Sequence, residues 1–205
     1  MPGGVTTGEK RPALFLDRDG IINADRGFVA RREDFIWQDG IFDLVRSALA
    51  RGFVPVVVTN QSGIGRGLYT AADYAALTEW MLARFAEEHA PIARVYHCPF
   101  HPEAELPQFR CVHPWRKPAP GMLLAAAQDL HIDLTRSILL GDRWSDIAAG
   151  VAAGVTRVVL VGPLANAVYD DAPPGLIRLP DMAAAAQWFA DFDPVASDVG
   201  PIGAN

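Results

Sequence analysis

The chain has 205 residues, half of them hydrophobic and a fifth charged, which suits one packed domain with modest insertions. Eighteen basic against twenty-four acidic residues leave a net charge of −6, which argues against a general nucleic-acid binder. Two cysteines make no disulfide framework, no run reaches the roughly 18 apolar residues of a membrane span, and residues 1–10 lack a signal-peptide core. A soluble, cytoplasmic protein with no membrane and no nucleic-acid partner is therefore expected.

In chain order, residues 1–10 read as a flexible tail and 11–190 as a single domain, with a second tail over 191–205. Ala13 to Leu16 is a short apolar run that ends abruptly in charge at Asp17, the pattern of a buried parallel strand whose tip carries chemistry. Ile41 to Ala50 has helical spacing, with Gly52 suited to its end. Phe53 to Val58 predicts a central strand, closed by polar Thr59 and Asn60. Thr70 with Asp73, an acidic relative of the capping box, starts a long helix to about His89. Arg94 to His97 is a further strand, and Pro120 to Leu130 a helix with proline in its first turn. Ser137 to Leu140 and Val158 to Val161 complete the strands, and a final helix begins near Ala183.

Strands alternating with helices imply right-handed crossovers and an α/β fold, a parallel sheet with helices on both faces. Ligands bind such sheets beyond the carboxyl ends of the strands. The polar tips Asp17, Thr59 and Asp142 should therefore converge.

Asp17-Arg18-Asp19-Gly20 places two carboxylates at i and i+2 just past the first strand. A carboxylate is a competent nucleophile toward phosphorus when a hard cation neutralises the charge, and its neighbour can protonate the leaving oxygen and later deprotonate water. Alone, such a triplet is more often an Asx turn at a strand end. Thr59-Asn60-Gln61-Ser62-Gly63 adds hydroxyl, amide and backbone donors without the Gly-Lys-Ser/Thr ending of a nucleotide P-loop. Arg116 and Lys117 bring positive charge ahead of a helix, and Gly141-Asp142 is followed by Asp146, suited to cap the next helix or to support a metal from behind.

In order and spacing these segments resemble the four motifs of the haloacid dehalogenase-like phosphatases. Leu16 to Asn23, Asn60 to Gly67 and Arg116 to Met122 narrow the likeness to the heptose bisphosphate 7-phosphatases and the related histidinol-phosphate phosphatases, over about Ala13 to Val161. The resemblance implies a three-layer Rossmann-like fold without a large cap domain, because the segments Asn23 to Asp39 and Thr59 to Thr70 are too short to hold one. It implies Asp17 as nucleophile, Asp19 as general acid/base, Thr59 and Lys117 on the transferring phosphoryl group, and a magnesium ion on Asp17, the Asp19 backbone and Asp142, with Asp146 behind. Asn60, Gln61, Ser62, Arg116 and Arg143 match positions that bind the rest of the substrate, a small phosphorylated sugar. Arg143 stands where lysine is common, a planar fork in place of a point charge.

The family often carries a zinc loop, Cys-x-His and later Cys-x-Cys just before Arg-Lys-Pro. Aligned on Arg116-Lys117-Pro118, the four ligand positions here hold Cys98, Phe100, His113 and Trp115, so two are gone. A shifted tetrad of Cys98, His101, Cys111 and His113 has acceptable ligand types. The alternative is a metal-free loop, stiffened by the seven of sixteen prolines between Pro91 and Pro120 and filled by Phe100 and Trp115.

Three other readings remain in view. Histidinol phosphate is the nearest alternative substrate, and a 3′-phosphatase of nucleic-acid ends shares the motifs but fits the acidic charge less well. A signalling receiver domain also phosphorylates an aspartate at a strand tip, but it has no use for an acid two residues later. A capless site is compatible with a monomer.

Overall fold

Strand β1 (Ala13–Leu16) sends Leu14 and Leu16 to one face of a sheet and Ala13 and Phe15 to the other, all fully buried, and this alternation divides the chain into three layers. The structure, a computed structural model, describes residues 9–192; of the tails expected over 1–10 and 191–205, residues 1–8 and 193–205 lie outside the described residues. Strands β2 (Val54–Asn60), β3 (Arg94–Cys98), β4 (Ile138–Gly141), β5 (Arg157–Val161) and β6 (Ile177–Leu179) complete a sheet of order β3-β2-β1-β4-β5-β6, parallel throughout.

Helices α1 (Ile41–Ala50), α3 (Ala71–Glu87) and α6 (Met182–Asp191) cover the face carrying Leu14 and Leu16. Helices α4 (Gly121–Asp129) and α5 (Trp144–Ala153) cover the other. The expected capping box forms at the start of α3: the Asp73 N–H donates to Thr70 Oγ1 and the Thr70 N–H to Asp73 Oδ2. Two elements go beyond the sequence reading. Helix α2 (Ser62–Gly65) is a single turn with two glycines, and β6 is a three-residue edge strand with no fully buried residue. Among the described residues no helix is long and apolar enough to cross a membrane.

The strand order reverses between β1 and β4, which makes the gap beyond their carboxyl tips the natural ligand crevice. No domain interrupts the approach to it. The segment between β1 and α1 holds only a 3-10 turn, Arg32–Asp34, and that between β2 and α3 only α2. The first of these segments is folded back on itself by the Ala24 N–H on the Ile36 carbonyl and the Gln38 N–H on the Ile22 carbonyl. Aromatic packing anchors it further, since Phe35 and Trp37 meet Trp80, and Trp37 meets Phe85 edge-on at 5.5 Å.

Phe85 is fully buried and also packs edge-on against Phe42 at 5.2 Å. Phe85→Ala should cost about 3–5 kcal/mol through lost contacts and the cavity left behind. The melting temperature should then fall by on the order of 10 °C, and a thermal scan showing no shift would refute the assignment of this cluster as an anchor.

Candidate active site

Asp17 and Asp142 stand just past the tips of the neighbouring strands β1 and β4, and the Asp17 N–H donates to the Leu140 carbonyl at 3.1 Å. Two glycines let their loops close on each other. Gly20 has φ +89°, and a Cβ there would lie 2.3 Å from Asp142 Cγ; a Cβ on Gly141 would lie 2.2 Å from Asp146 Cβ. With no side chain in the way, carboxylate oxygens of Asp17, Asp142 and Asp146 gather within 4.8 Å of one another.

Lys117 holds this acidic cluster together. Its ammonium lies 3.0 Å from Asp17 Oδ1 and 2.6 Å from Asp146 Oδ1, and donates to the Val58 carbonyl at 2.8 Å. Burial opposes the lysine's charge, but Asp146 and Asp17 more than offset it and hold Lys117 up at about 12. Burial pushes Asp17 up to about 6 despite Lys117, with Asp146 and Asp19 adding to the rise. Asp142 is pushed up to about 8, by burial and then by Asp17 and Asp146, and its Oδ1 is buried with no hydrogen-bond partner. Asp146 Oδ2 accepts the Arg143 N–H at the first turn of α5, so one residue caps the helix and pairs with the lysine.

The Arg18 N–H and Lys117 both fall on Asp17 Oδ1, so Asp17 Oδ2 carries no hydrogen bond. Asp19 points into a different set of partners. Its carboxylate accepts from the Arg18 guanidinium at 2.9 Å, from Asn23 Nδ2 at 3.0 Å and from Gln61 Nε2 at 3.0 Å. Arg18, 1% exposed, also donates to the Val29 carbonyl. Gln61 in turn donates to Thr59 Oγ1 and accepts from the Tyr69 hydroxyl at 2.5 Å. Asn60 is clamped to the Lys117 backbone by two reciprocal bonds of 3.0 Å. The amides of Asn60 and Gln61 thus have protein partners, a scaffolding use that motif spacing does not reveal.

These groups floor a cleft of about 530 Å³ whose lining includes Asp17, Asp19, Thr59, Asn60, Gln61 and Ser62, and Arg116, Lys117, Arg143 and Asp146 as well. Every residue singled out for catalysis or substrate binding therefore reaches one cavity. Asp25, Phe28 and Tyr69 line it too. Arg143 donates to Asp25 Oδ2 at 2.5 Å, and that contact with the Gly27 N–H holds the Asp25 carboxyl below its usual range although burial opposes it. Asp25 and Phe28 belong to the segment between β1 and α1. Tyr69 and the buried fork of Arg18 had no periodic signal, because what marks them is the partner each finds in three dimensions.

The zinc candidates are not brought together. Among the described residues, Asp17, Asp142 and Asp146 are the group of His, Cys, Asp or Glu ligand atoms close enough to share one ion, and Cys98, His101, Cys111 and His113 form no such group. Cys98 is buried while Cys111 is exposed. His101 Nδ1 accepts the Glu103 N–H and His113 Nδ1 accepts the Trp115 N–H.

A family model described as HAD-hydrolase-like matches residues 114–163, which carry Lys117, Asp142 and Asp146. The chain is 51% identical over 152 residues to a D-glycero-alpha-D-manno-heptose-1,7-bisphosphate 7-phosphatase of Burkholderia mallei, covering 74% of this chain and 80% of the relative. It is 48% identical over 150 residues to a D-glycero-beta-D-manno-heptose-1,7-bisphosphate 7-phosphatase of Escherichia coli, covering 73% and 78%. A crystal structure of D,D-heptose 1,7-bisphosphate phosphatase from B. bronchiseptica, complexed with magnesium and phosphate, superimposes with a TM-score of 0.73 at 29% identity, covering 86% of this chain and 97% of that one. With strand tips, carboxylates and lysine arranged as above, and with relatives this similar over most of its length, the chain belongs to the haloacid dehalogenase-like phosphatases, in their heptose bisphosphate phosphatase group.

Proposed function

We propose that this enzyme removes the 7-phosphate of D-glycero-D-manno-heptose 1,7-bisphosphate through an aspartyl-phosphate intermediate. The observation that carries the reading is the floor of the cleft, where Lys117 pairs with one oxygen of Asp17 and leaves the other unbonded. The substrate comes from the names of the similar enzymes in B. mallei and E. coli. An uncapped cleft of about 530 Å³ suits a polar sugar bisphosphate.

In the first step Asp17 Oδ2 bonds to phosphorus, the bond from phosphorus to the sugar oxygen breaks, and that oxygen takes a proton from Asp19. In the second step water gives its proton to Asp19 and its oxygen to phosphorus. The bond from Asp17 to phosphorus breaks, and orthophosphate leaves. The donors around Asp19 match its carboxylate form, the form that accepts the proton from water. The Thr59 hydroxyl and the Lys117 ammonium take the phosphoryl oxygens, and because both are already fixed by protein partners they stabilise developing charge with little reorganisation.

The donor set fits a magnesium ion. Three gathered carboxylates offer hard oxygen ligands, Lys117 pairs with only two of them, and Asp142 Oδ1 is buried without a hydrogen-bond partner among the described residues. Asp17, Asp142 and the Asp19 backbone carbonyl would hold it, with Asp146 supporting through Lys117. When bound, it neutralises charge between the nucleophile and the phosphoryl group.

Phosphate release with magnesium from both heptose bisphosphate anomers, histidinol phosphate, fructose 1,6-bisphosphate and a 3′-phosphorylated oligonucleotide tests the substrate. One heptose anomer should lead the panel, and uniformly feeble rates would sink the heptose reading. Asp17→Asn should lower the best rate by at least about 10³-fold with the fold intact, whereas activity near that of the parent would remove Asp17 as nucleophile. A third measurement concerns the metal. In EDTA, Asp142→Asn should melt above the parent, since one of three crowded buried acids is gone, and added magnesium should raise the parent's melting point far more than the variant's. A variant that melts lower in EDTA, or that gains as much from magnesium, would exclude Asp142 as a ligand.

A further inference from the structure

Of the four positions that the family likeness marks for zinc, Cys98, Phe100, His113 and Trp115, three are rings packed on one another. Phe100 stacks on His113 with centroids 4.2 Å apart and planes 7° from parallel. Trp115 meets His113 edge-on at 6.3 Å and Tyr96 at 6.0 Å, and Phe109 closes on Phe100 at 5.6 Å. Cys98 is buried against the Phe100 carbonyl, 4.0 Å from its sulfur, and burial raises its thiol away from the thiolate that a metal requires. His101 Nδ1 accepts the Glu103 N–H, and its Nε2 lies 3.5 Å from the Arg66 guanidinium.

Both members of the stack also hold the next functional residue. The Arg116 N–H donates to the His113 carbonyl at 3.0 Å, and the Arg116 guanidinium donates to the Phe100 carbonyl at 3.3 Å. The main chain of His113 therefore fixes the backbone of Arg116 and that of Phe100 its head, the stack holding these two main-chain segments together, and Arg116 lines the cleft. Lys117, the next residue, is clamped by Asn60, so the stack and the clamp together set where the two cations stand.

We propose that the Phe100–His113 stack with Trp115 replaces a metal in this loop, and that Phe100 and His113 are positioning residues that aim Arg116 at the substrate. The second half rests on the reading of Arg116 as a substrate contact. A residue that only orients a binding cation acts on ground-state and transition-state binding alike, so its loss shows in KM and not in kcat. A defect in folding shows instead as a lower active fraction.

The test compares the parent, Phe100→Ala, Phe100→Tyr and Arg116→Met on the heptose bisphosphate with saturating magnesium. Phe100→Ala should raise KM about tenfold with kcat within about threefold, Phe100→Tyr, which keeps a ring to stack, should stay near the parent KM, and Arg116→Met should raise KM at least as far as Phe100→Ala. A normal KM in Phe100→Ala beside a raised one in Arg116→Met would overturn the positioning role and leave the Arg116 reading standing. A normal KM in Arg116→Met would overturn that reading and the positioning with it. Metal analysis of the parent, purified without chelator, needs no variant. Zinc below about 0.1 equivalents supports the ring-packed loop, and one equivalent of zinc refutes it.

Discussion

One buried ammonium surrounded by carboxylates sets the terms for everything else in this protein. Lys117 is 2% exposed and pairs with Asp17 and Asp146, themselves nearly as deep. Burying such a set costs desolvation that the pairing only partly returns, so it is poor evidence of a stability device. It makes sense as chemistry. A single lysine stands among three gathered carboxylates, and burial first, then Asp17 and Asp146, raises the pKa of Asp142 against the opposing Arg143 and Lys117. This electrostatic imbalance of hard oxygen ligands at the strand tips suits a further cation.

That imbalance depends on the sheet. Parallel strands bring Asp17 and Asp142 to the same edge because β1 and β4 are direct neighbours at the point where the order reverses. Lys117 comes from a loop beyond the tip of β3, two strands away, and reaches the floor only because Asn60 at the end of β2 grips its backbone. The loop must therefore arrive in register, and the rings of Phe100, His113 and Trp115 lie on that path. Aromatic packing keeps its strength without any requirement for thiolates, which suits a buried Cys98.

The strands were readable because burial on both faces forces continuous apolar runs and catalysis forces charge at their ends; Leu16 beside Asp17 and Gly141 beside Asp142 show both rules at once. Edge strand β6 was not readable, since three half-exposed residues carry no such run. Helix α2 was hidden for a different reason: glycine is a poor helix former, so its single turn comes from tertiary context. At the site, motif spacing placed the residues in one cleft but not their partners. Gln61 and Asn60 have polar side chains that suit a ligand, yet their bonds to Asp19, Tyr69 and the Lys117 backbone depend on distances across the fold. The Cys and His spacing failed similarly, since it permits a tetrad that the packed rings do not assemble.

Depth separates the two tasks of the cleft. On the floor, Lys117 and the carboxylates are buried, fixed by short contacts and sheltered from salt. At the rim, the Arg143 side chain is 62% exposed and bound to Asp25, so it is solvated and screened. Buried cations act through preorganised charge, and exposed ones through reach and geometry. The identities of 51% and 48% to relatives named for opposite anomers are nearly equal, as they would be if most of the sequence maintains the shared sheet and floor. The walls, by contrast, carry Asp25, Phe28, Arg116 and Arg143, on loops held through the Arg18 bond to the Val29 carbonyl on one side and the Arg116 bond to the Phe100 carbonyl on the other.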